Sequence, residues 1–328
     1  MTWLIWRQHR KAALVMLALL AALAAFIIPT GLRMRHAVTG FADCVAKLGG
    51  AQLAPETALG NCHDLSGVFL SKYSSMQYVA ILLLFAPVLI GMFWGAPLVA
   101  REVEQGTHRF VWTQGVSRRR WMLTKIGIVG GFVLLVVVVY TLLMSWWMRP
   151  FTIGTGNRLR AGFFDSQGVV PIAYTIFAVA LGFFAGTYWR KVLPAMAVTL
   201  VGFAAARIGI LALARQHFAP PKSLSTPITS RNIFNDLNGD WVLERAVRAA
   251  SGTIVRSDAI ITCGTAPGEE PPPGADPFAE LCRSGASNWV SYQPASQFWP
   301  FQYIEAGIFL ALAAVLLVFA IRKVRRIA

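Results

Sequence analysis

Six long apolar stretches limit what this chain can fold into more than any other feature of its sequence. Each is long enough, at about 20 residues, to cross a hydrocarbon core of about 30 Å as a helix. Only 14% of the residues are charged, whereas a soluble domain carries about 25%. The sequence therefore predicts an all-α polytopic integral membrane protein. The predicted transmembrane helices, numbered as spans one to six, are 12–32, 78–99, 126–148, 169–188, 192–214 and 301–321.

The distribution of basic residues predicts the orientation of these spans. Placing both termini in the cytoplasm makes 1–11, 100–125, 189–191 and 322–328 the inner segments, which hold 15 Lys and Arg in 47 residues. The remaining segments between spans hold 14 in 151 residues. Because Lys and Arg are enriched in cytoplasmic loops, both termini are predicted to be cytoplasmic. The net charge of +15 lies in flanks of the spans and does not form the basic face expected of a nucleic-acid-binding protein.

The four cysteines all fall in predicted outer segments, in two local pairs. Cys44 and Cys62 lie between the first two spans, and Cys263 and Cys282 lie before the last. Because an outer face is oxidising, one disulfide within each pair is the preferred prediction. Four free thiols are the alternative.

The segments outside the spans differ in size and character. Residues 1–11 combine two Trp with basic side chains, which predicts an interfacial N-terminal helix or, alternatively, an ordinary basic flank. Residues 33–77 are predicted to be an extracellular loop, and 149–168 to lie at the outer interface. Residues 215–300 are expected to form a disulfide-stapled extracellular cap with little regular structure. This cap would gate an exit path, touch a partner or simply fill space.

The predicted domain organisation follows from these segments. It consists of the N-terminal helix (1–11), spans one to five with their loops (12–214), the cap (215–300), and the sixth span with a basic cytoplasmic tail (301–328).

The sequence offers little for an enzymatic mechanism. The five His residues are scattered without an HExxH pattern, and no metal site is predicted. No Gly immediately precedes a Lys, so the chain lacks the GxxxxGK[ST] loop that binds nucleotide phosphates. We therefore predict that the chain is not an enzyme and carries no cofactor of its own.

The inner segment between spans two and three, residues 100–125, is the richest soluble feature on its side. Gly106 would allow a sharp break after an acidic helical extension of the second span. Thr107 would then cap a short helix over residues 108–114, and Ser117 would cap the entry into the third span. The predicted result is an elbow that presents a short amphipathic helix to the cytoplasm.

This segment resembles the inner loop of the ABC-2 family of exporter permeases. That loop carries a pattern close to E-x-E-x-G-T, followed by a short helix, Ser-Arg and a Lys that opens the third span. The tail 292–305 also looks like an actinobacterial variety of the family. The residues that match the loop pattern in order are Glu102, Glu104, Gly106, Thr107, Ser117, Arg118 and Lys125.

The resemblance implies a fold and a mechanism. The fold would be the ABC-2, type V exporter-like permease fold, and the inner loop would dock on a separate ABC ATPase subunit. Two copies of that ATPase would bind ATP and Mg and move a dimer of permeases, either identical or related. An ordinary positive-inside loop is the alternative. The residues assigned to coupling with the ATPase are Arg101, Glu102, Glu104, Gly106, Thr107, His108, Arg109 and Ser117.

Two charged residues lie at predicted membrane depth. Arg207 is about 10 Å from the outer end of the fifth span, so its side chain either snorkels to the surface or faces the interior of the bundle. Glu305 lies in the first turn of the sixth span, where the helix dipole favours a carboxylate. A salt bridge between them is conceivable, because both lie toward the outer side.

Pairs of small residues four positions apart predict close helix contacts, although no single face follows from them. They are Gly127 and Gly131, Gly182 and Gly186, and Gly202 and Ala206.

We therefore predict a permease subunit that moves a hydrophobic or amphipathic substrate outward across a bacterial plasma membrane. A membrane sensor or assembly factor with a ligand-binding extracellular cap is the alternative.

Overall fold

The computed structural model describes residues 2–47, 56–106, 118–155, 158–228, 239–261, 281 and 285–325. Within these residues, six helices are long and apolar enough to cross a membrane, as the sequence predicts. The chain divides into two compact units. The first, here the helical unit, comprises Met1–Gly154, Ala161–Ile210 and Gln302–Ala328, and the second comprises Thr155–Arg160 and Leu211–Phe301.

Among the described residues, the α-helices are numbered α1 to α9 in chain order. They are α1 Thr2–Lys47, α2 Glu56–Leu83, α3 Ala86–Ile90, α4 Pro97–Glu104, α5 Arg118–Thr155, α6 Ala161–Phe164, α7 Val170–Trp189, α8 Val192–Gly209 and α9 Phe298–Arg325.

The first two helices are longer than the spans that they contain. Helix α1 runs without a break from Thr2 to Lys47, so residues 1–11 do not form a separate helix. Most of the predicted loop 33–77 is likewise helical, because α1 continues through it and α2 begins at Glu56. The apolar stretch of each helix ends near the predicted membrane boundary, whereas its backbone hydrogen bonds continue through the polar turns of α1 and α2.

The second span is broken into short pieces. Helix α2 ends at Leu83, and α3 restarts with Pro87 in its first turn, where a missing N–H is tolerated. The Leu83 carbonyl, which would pair with that N–H in a continuous helix, instead accepts a hydrogen bond from the Tyr140 hydroxyl at 2.7 Å. A π-helical turn, Gly91–Gly95, then leads into α4.

Helix α7 is the most enclosed of the spans, with 78% of its apolar window buried. It packs directly against the π-helical turn, because a Cβ atom on Gly182 would lie 2.5 Å from the Gly91 carbonyl oxygen. Gly186 makes a similar approach to the Ala96 carbonyl. The predicted close contact at Gly182 and Gly186 is therefore confirmed, whereas a Cβ on Gly127 would meet nothing within 4 Å.

The second unit contains a four-stranded antiparallel sheet, which corrects the prediction of an all-α chain. The sheet has the order β1-β4-β2-β3, and its buried side chains include Val247 and Val290. Residues 215–300, predicted to hold little regular structure, contain all four strands. These are β1 Lys222–Pro227, β2 Trp241–Arg248, β3 Ile254–Ser257 and β4 Ser287–Gln293.

The predicted disulfides fall outside the described side chains. Cys44 and Cys62 have their backbones in α1 and α2, but their side chains, and Cys263 and Cys282 entirely, lie beyond what the structure describes. The two disulfides stay a prediction.

Candidate functional site

Two groups of polar side chains lie at opposite ends of the helical unit. We call the end where α4 meets the start of α8 the loop end. We call the end where α7 begins the network end.

At the loop end, Glu102 forms an ion pair with Lys125 of α5. The lysine side chain is almost completely buried and also donates to the Leu98 carbonyl at 3.4 Å. Because a buried ammonium is costly without an anionic partner, the Glu102 carboxylate stabilises the charged Lys125 and holds α4 against α5.

Glu104 reaches a different helix. One of its carboxylate oxygens accepts a hydrogen bond from the Val192 N–H, the first residue of α8, at 3.0 Å. This N–H belongs to the four at a helix start that have no partner within the helix. Glu104 therefore caps α8 from outside, and its side chain remains exposed.

The bend predicted at Gly106 is present. Helix α4 ends at Glu104, and Gly106 has φ +69°, a left-handed conformation that glycine adopts most easily. Arg101 is exposed on α4. Of the other residues assigned to coupling, Thr107, His108, Arg109 and Ser117 lie outside the described residues, as does the predicted helix over 108–114.

At the network end, Arg207 of α8 pairs with Asp165, which lies just after α6, at 2.8 Å between Nη2 and Oδ2. The same guanidinium donates to the Leu84 carbonyl at 3.4 Å, in the broken turn between α2 and α3. Only 17% of the Arg207 side chain is exposed, and 2% of the Asp165 side chain. Arg207 therefore faces the interior of the bundle.

Glu305 belongs to the same network, but Tyr174 stands between it and Arg207. The Tyr174 hydroxyl hydrogen-bonds to the Glu305 carboxylate and lies 3.2 Å from Asp165 Oδ1. The considered salt bridge of Arg207 with Glu305 is thus replaced by one with Asp165. Tyr174 and Glu305 are each only 1% exposed.

Gln302 fixes the start of α7 beside this network. Its side-chain oxygen accepts from the N–H groups of Val169 and Val170, each at 3.0 Å, and its amide donates to the Phe164 carbonyl at 2.8 Å. One fully buried side chain from α9 thereby joins the end of α6 to the beginning of α7. This sets the position of Asp165 in the connection between them.

Aromatic rings from α8 and α9 pack against Tyr174 in this network. Phe309 lies edge-on to Tyr174, with ring centroids 4.7 Å apart, and Phe203 does so at 6.0 Å. The Arg207 guanidinium carbon lies 5.4 Å from the centre of the Tyr174 ring. Apolar surroundings strengthen the electrostatic contacts between the charged groups.

Sequence reasoning identified Arg207 and Glu305 but missed Asp165, Tyr174 and Gln302. Asp165 is the only acidic residue between the third and fourth spans, and this was the signal that could have paired it with Arg207. Among the described residues, no group of three or more His, Cys, Asp or Glu side chains could hold a metal ion.

Comparison with known proteins identifies a family for the part of the chain that contains the first five spans. A family model described as ABC-2 membrane transporter related matches residues 17–215, from within the first span to the end of the fifth. Comparisons with curated proteins and with solved structures find no match. Because the family match covers more than half of the 328 residues, the chain belongs to the ABC-2 membrane transporter-related family and is a multi-pass permease subunit, a membrane component that is not itself catalytic.

Proposed function

We propose that the chain is the permease of an ATP-driven exporter and works with a separate ABC ATPase. The observation that carries the proposal is the family match together with the exposed end of α4, where the helix stops at Glu104 and the chain bends at Gly106. ABC-2 permeases generally work with an ABC ATPase. The segment after α4 is then the site at which one of the two ATPase subunits docks.

The proposed orientation places both termini and the loop end in the cytoplasm of a bacterial cell. Support comes from the enrichment of Lys and Arg in the segments that contain the loop. The segment 215–300, which contains the four-stranded sheet, then lies outside the cell. Two disulfides, Cys44 with Cys62 and Cys263 with Cys282, would staple the outer segments in this oxidising compartment.

The proposed substrate is a hydrophobic or amphipathic molecule that leaves the membrane on the outer side. A dimer of permeases, identical or related, would form the path. Support comes from the apolar character of the spans and from the burial of the charged network residues against aromatic rings.

Co-purification tests the partner. The ABC ATPase encoded beside the permease gene should co-purify with the permease. Reconstitution of the ATPase with the permease should raise its rate of ATP hydrolysis. Arg101→Glu should weaken the association, because it reverses an exposed charge beside the docking segment. Arg322→Glu, which reverses an exposed charge at the end of α9, is the matched control and should leave association unchanged.

Two further measurements test orientation and disulfides. A cysteine placed at residue 106 should react with a membrane-impermeant reagent only after the cells are opened. Alkylation without reductant should modify none of the four native cysteines. If intact cells were labelled at residue 106, both the proposed orientation and docking on a cytoplasmic ATPase would be rejected.

A further inference from the structure

The start of α8 depends on a residue far away in the sequence. The residue before the helix, Lys191, supplies no side-chain cap, and the third residue, Pro194, has no N–H. The N–H of the first residue, Val192, is bound by the Glu104 carboxylate, which lies 88 positions earlier. The cap of α8 is therefore carried by the end of the second span.

Glu102 and Glu104 bind two different helices because of their spacing. Residues two positions apart on an α-helix are rotated by about 200° around its axis, so the side chains of Glu102 and Glu104 leave α4 on opposite sides. Glu102 meets Lys125 of α5, and Glu104 meets Val192 of α8. The last turn of α4 thus fastens the beginnings of two spans to the segment that enters the loop.

We infer that Glu104 is a positioning residue that makes α8 follow the loop when the ATPase moves it. This inference rests on the proposed function, because it assumes that an ATPase drives the loop. Helix α8 carries Arg207 about four turns above Val192. A displacement of α4 would therefore move the ion pair of Arg207 with Asp165 through the continuous helix α8. The broken second span would provide a second route.

Another role for Glu104 would be direct contact with the ATPase through its negative charge, since its side chain is exposed. The two roles make different demands on the side chain. A cap needs an oxygen that accepts a hydrogen bond, which glutamine also provides. An ion pair with a basic groove needs the charge, which glutamine lacks.

Glu104→Gln and Glu104→Ala separate the two roles in the full-length permease, reconstituted in nanodiscs with its ATPase. Hydrogen exchange of the peptide that contains Val192 reports the cap, and stimulation of ATP hydrolysis reports coupling. Glu104→Ala should accelerate exchange at this helix start by about fivefold, the size of a typical cap loss, and should lower stimulation. Glu104→Gln should leave both within about twofold of the wild type, because it preserves the cap. Glu244→Ala, which removes an exposed carboxylate from β2 of the second unit, is the matched control and should change neither.

Two results would overturn the inference. One is unchanged hydrogen exchange in Glu104→Ala, which would mean that the carboxylate does not hold the start of α8. The other is equal loss of stimulation in Glu104→Gln and Glu104→Ala, which would assign Glu104 to charge-dependent docking. If the wild-type permease itself failed to stimulate the ATPase, the proposed function would fall, and hydrogen exchange would still decide whether Glu104 caps α8.

Discussion

The loop end and the network end of the helical unit use the same two devices in different surroundings. Among the described residues, each end contains an ion pair and a side chain that caps the start of a helix. At the loop end these are Glu102 with Lys125, and Glu104 on α8. At the network end they are Arg207 with Asp165, and Gln302 on α7.

The two ion pairs are buried to a similar extent, so the difference lies in the burial of the capping side chains and in the number of elements that contribute. Glu102 and Glu104 both belong to the last turn of α4, and Glu104 is exposed. The network end draws its side chains from α7, α8, α9 and the connection after α6, and Gln302 is completely buried there. Exposed contacts are weak and easily exchanged with water, whereas buried ones are costly to break. We therefore expect α4 and the start of α8 to move together during transport while the network end holds the spans together.

The largest effect should come from Asp165→Ala. It leaves Arg207 at membrane depth without its carboxylate, and a guanidinium cannot release its proton. We expect a loss of about 3 kcal/mol in stability, as for other broken buried pairs, measured by thermal denaturation in detergent. Adding Arg207→Leu should recover most of the loss. Equal melting temperatures for Asp165→Ala and the wild type would show that the pair does not hold the network end.

Gln302→Ala should have the next largest effect. It removes the partner of two N–H groups and one carbonyl, and each such loss in a buried place is unfavourable. We expect about 2 kcal/mol of destabilisation, measured in the same assay. Gln302→Leu keeps most of the side-chain volume but supplies neither an acceptor nor a donor, so it should lose about as much stability as Gln302→Ala. A Gln302→Ala protein as stable as the wild type would contradict the proposed role of the cap.

Glu102→Ala should cost less than Asp165→Ala. The remaining Lys125 is more deeply buried than Arg207, but it can release its proton, which an arginine cannot do. A loss of about 1–2 kcal/mol is expected, together with weaker stimulation of the ATPase. A larger loss than that of Asp165→Ala would reverse the contrast between the two ends.

Glu104→Ala should have the smallest effect on overall stability. An exposed helix cap contributes about 1 kcal/mol, so the melting temperature of the whole permease should hardly change, even where exchange at the start of α8 does. A large drop in melting temperature would show that the loop end is as rigid as the network end.

The six spans were predictable because a helix that crosses a lipid bilayer must be long and apolar, and such stretches can be recognised directly in the sequence. The bend at Gly106 was predictable for a local reason too, since glycine tolerates positive φ. The lengths of α1 and α2 beyond the membrane were not predictable, because their polar turns carry no apolar signal.

The sheet of the second unit escaped prediction because its strands are short and its pairing is distant. Strand β1 contains Pro227 and pairs with β4, from Lys222 opposite Tyr292 to Pro227 opposite Ser287. All four residues of β3 are exposed, so it shows no alternation of polar and apolar residues.

The order of residues is enough to show that this chain crosses the membrane several times, that Glu102 and Glu104 belong to the inner-loop motif, and that Arg207 is a charge at membrane depth. The partners of these charges follow from packing and not from the sequence. Glu104 contacts α8 because the end of α4 lies beside the start of α8. Arg207 contacts Asp165 because Gln302 holds the connection from α6 to α7 in place. The sequence shows that a charge lies in a span and is therefore unfavourable in lipid. The group that compensates this charge depends on how the helices pack.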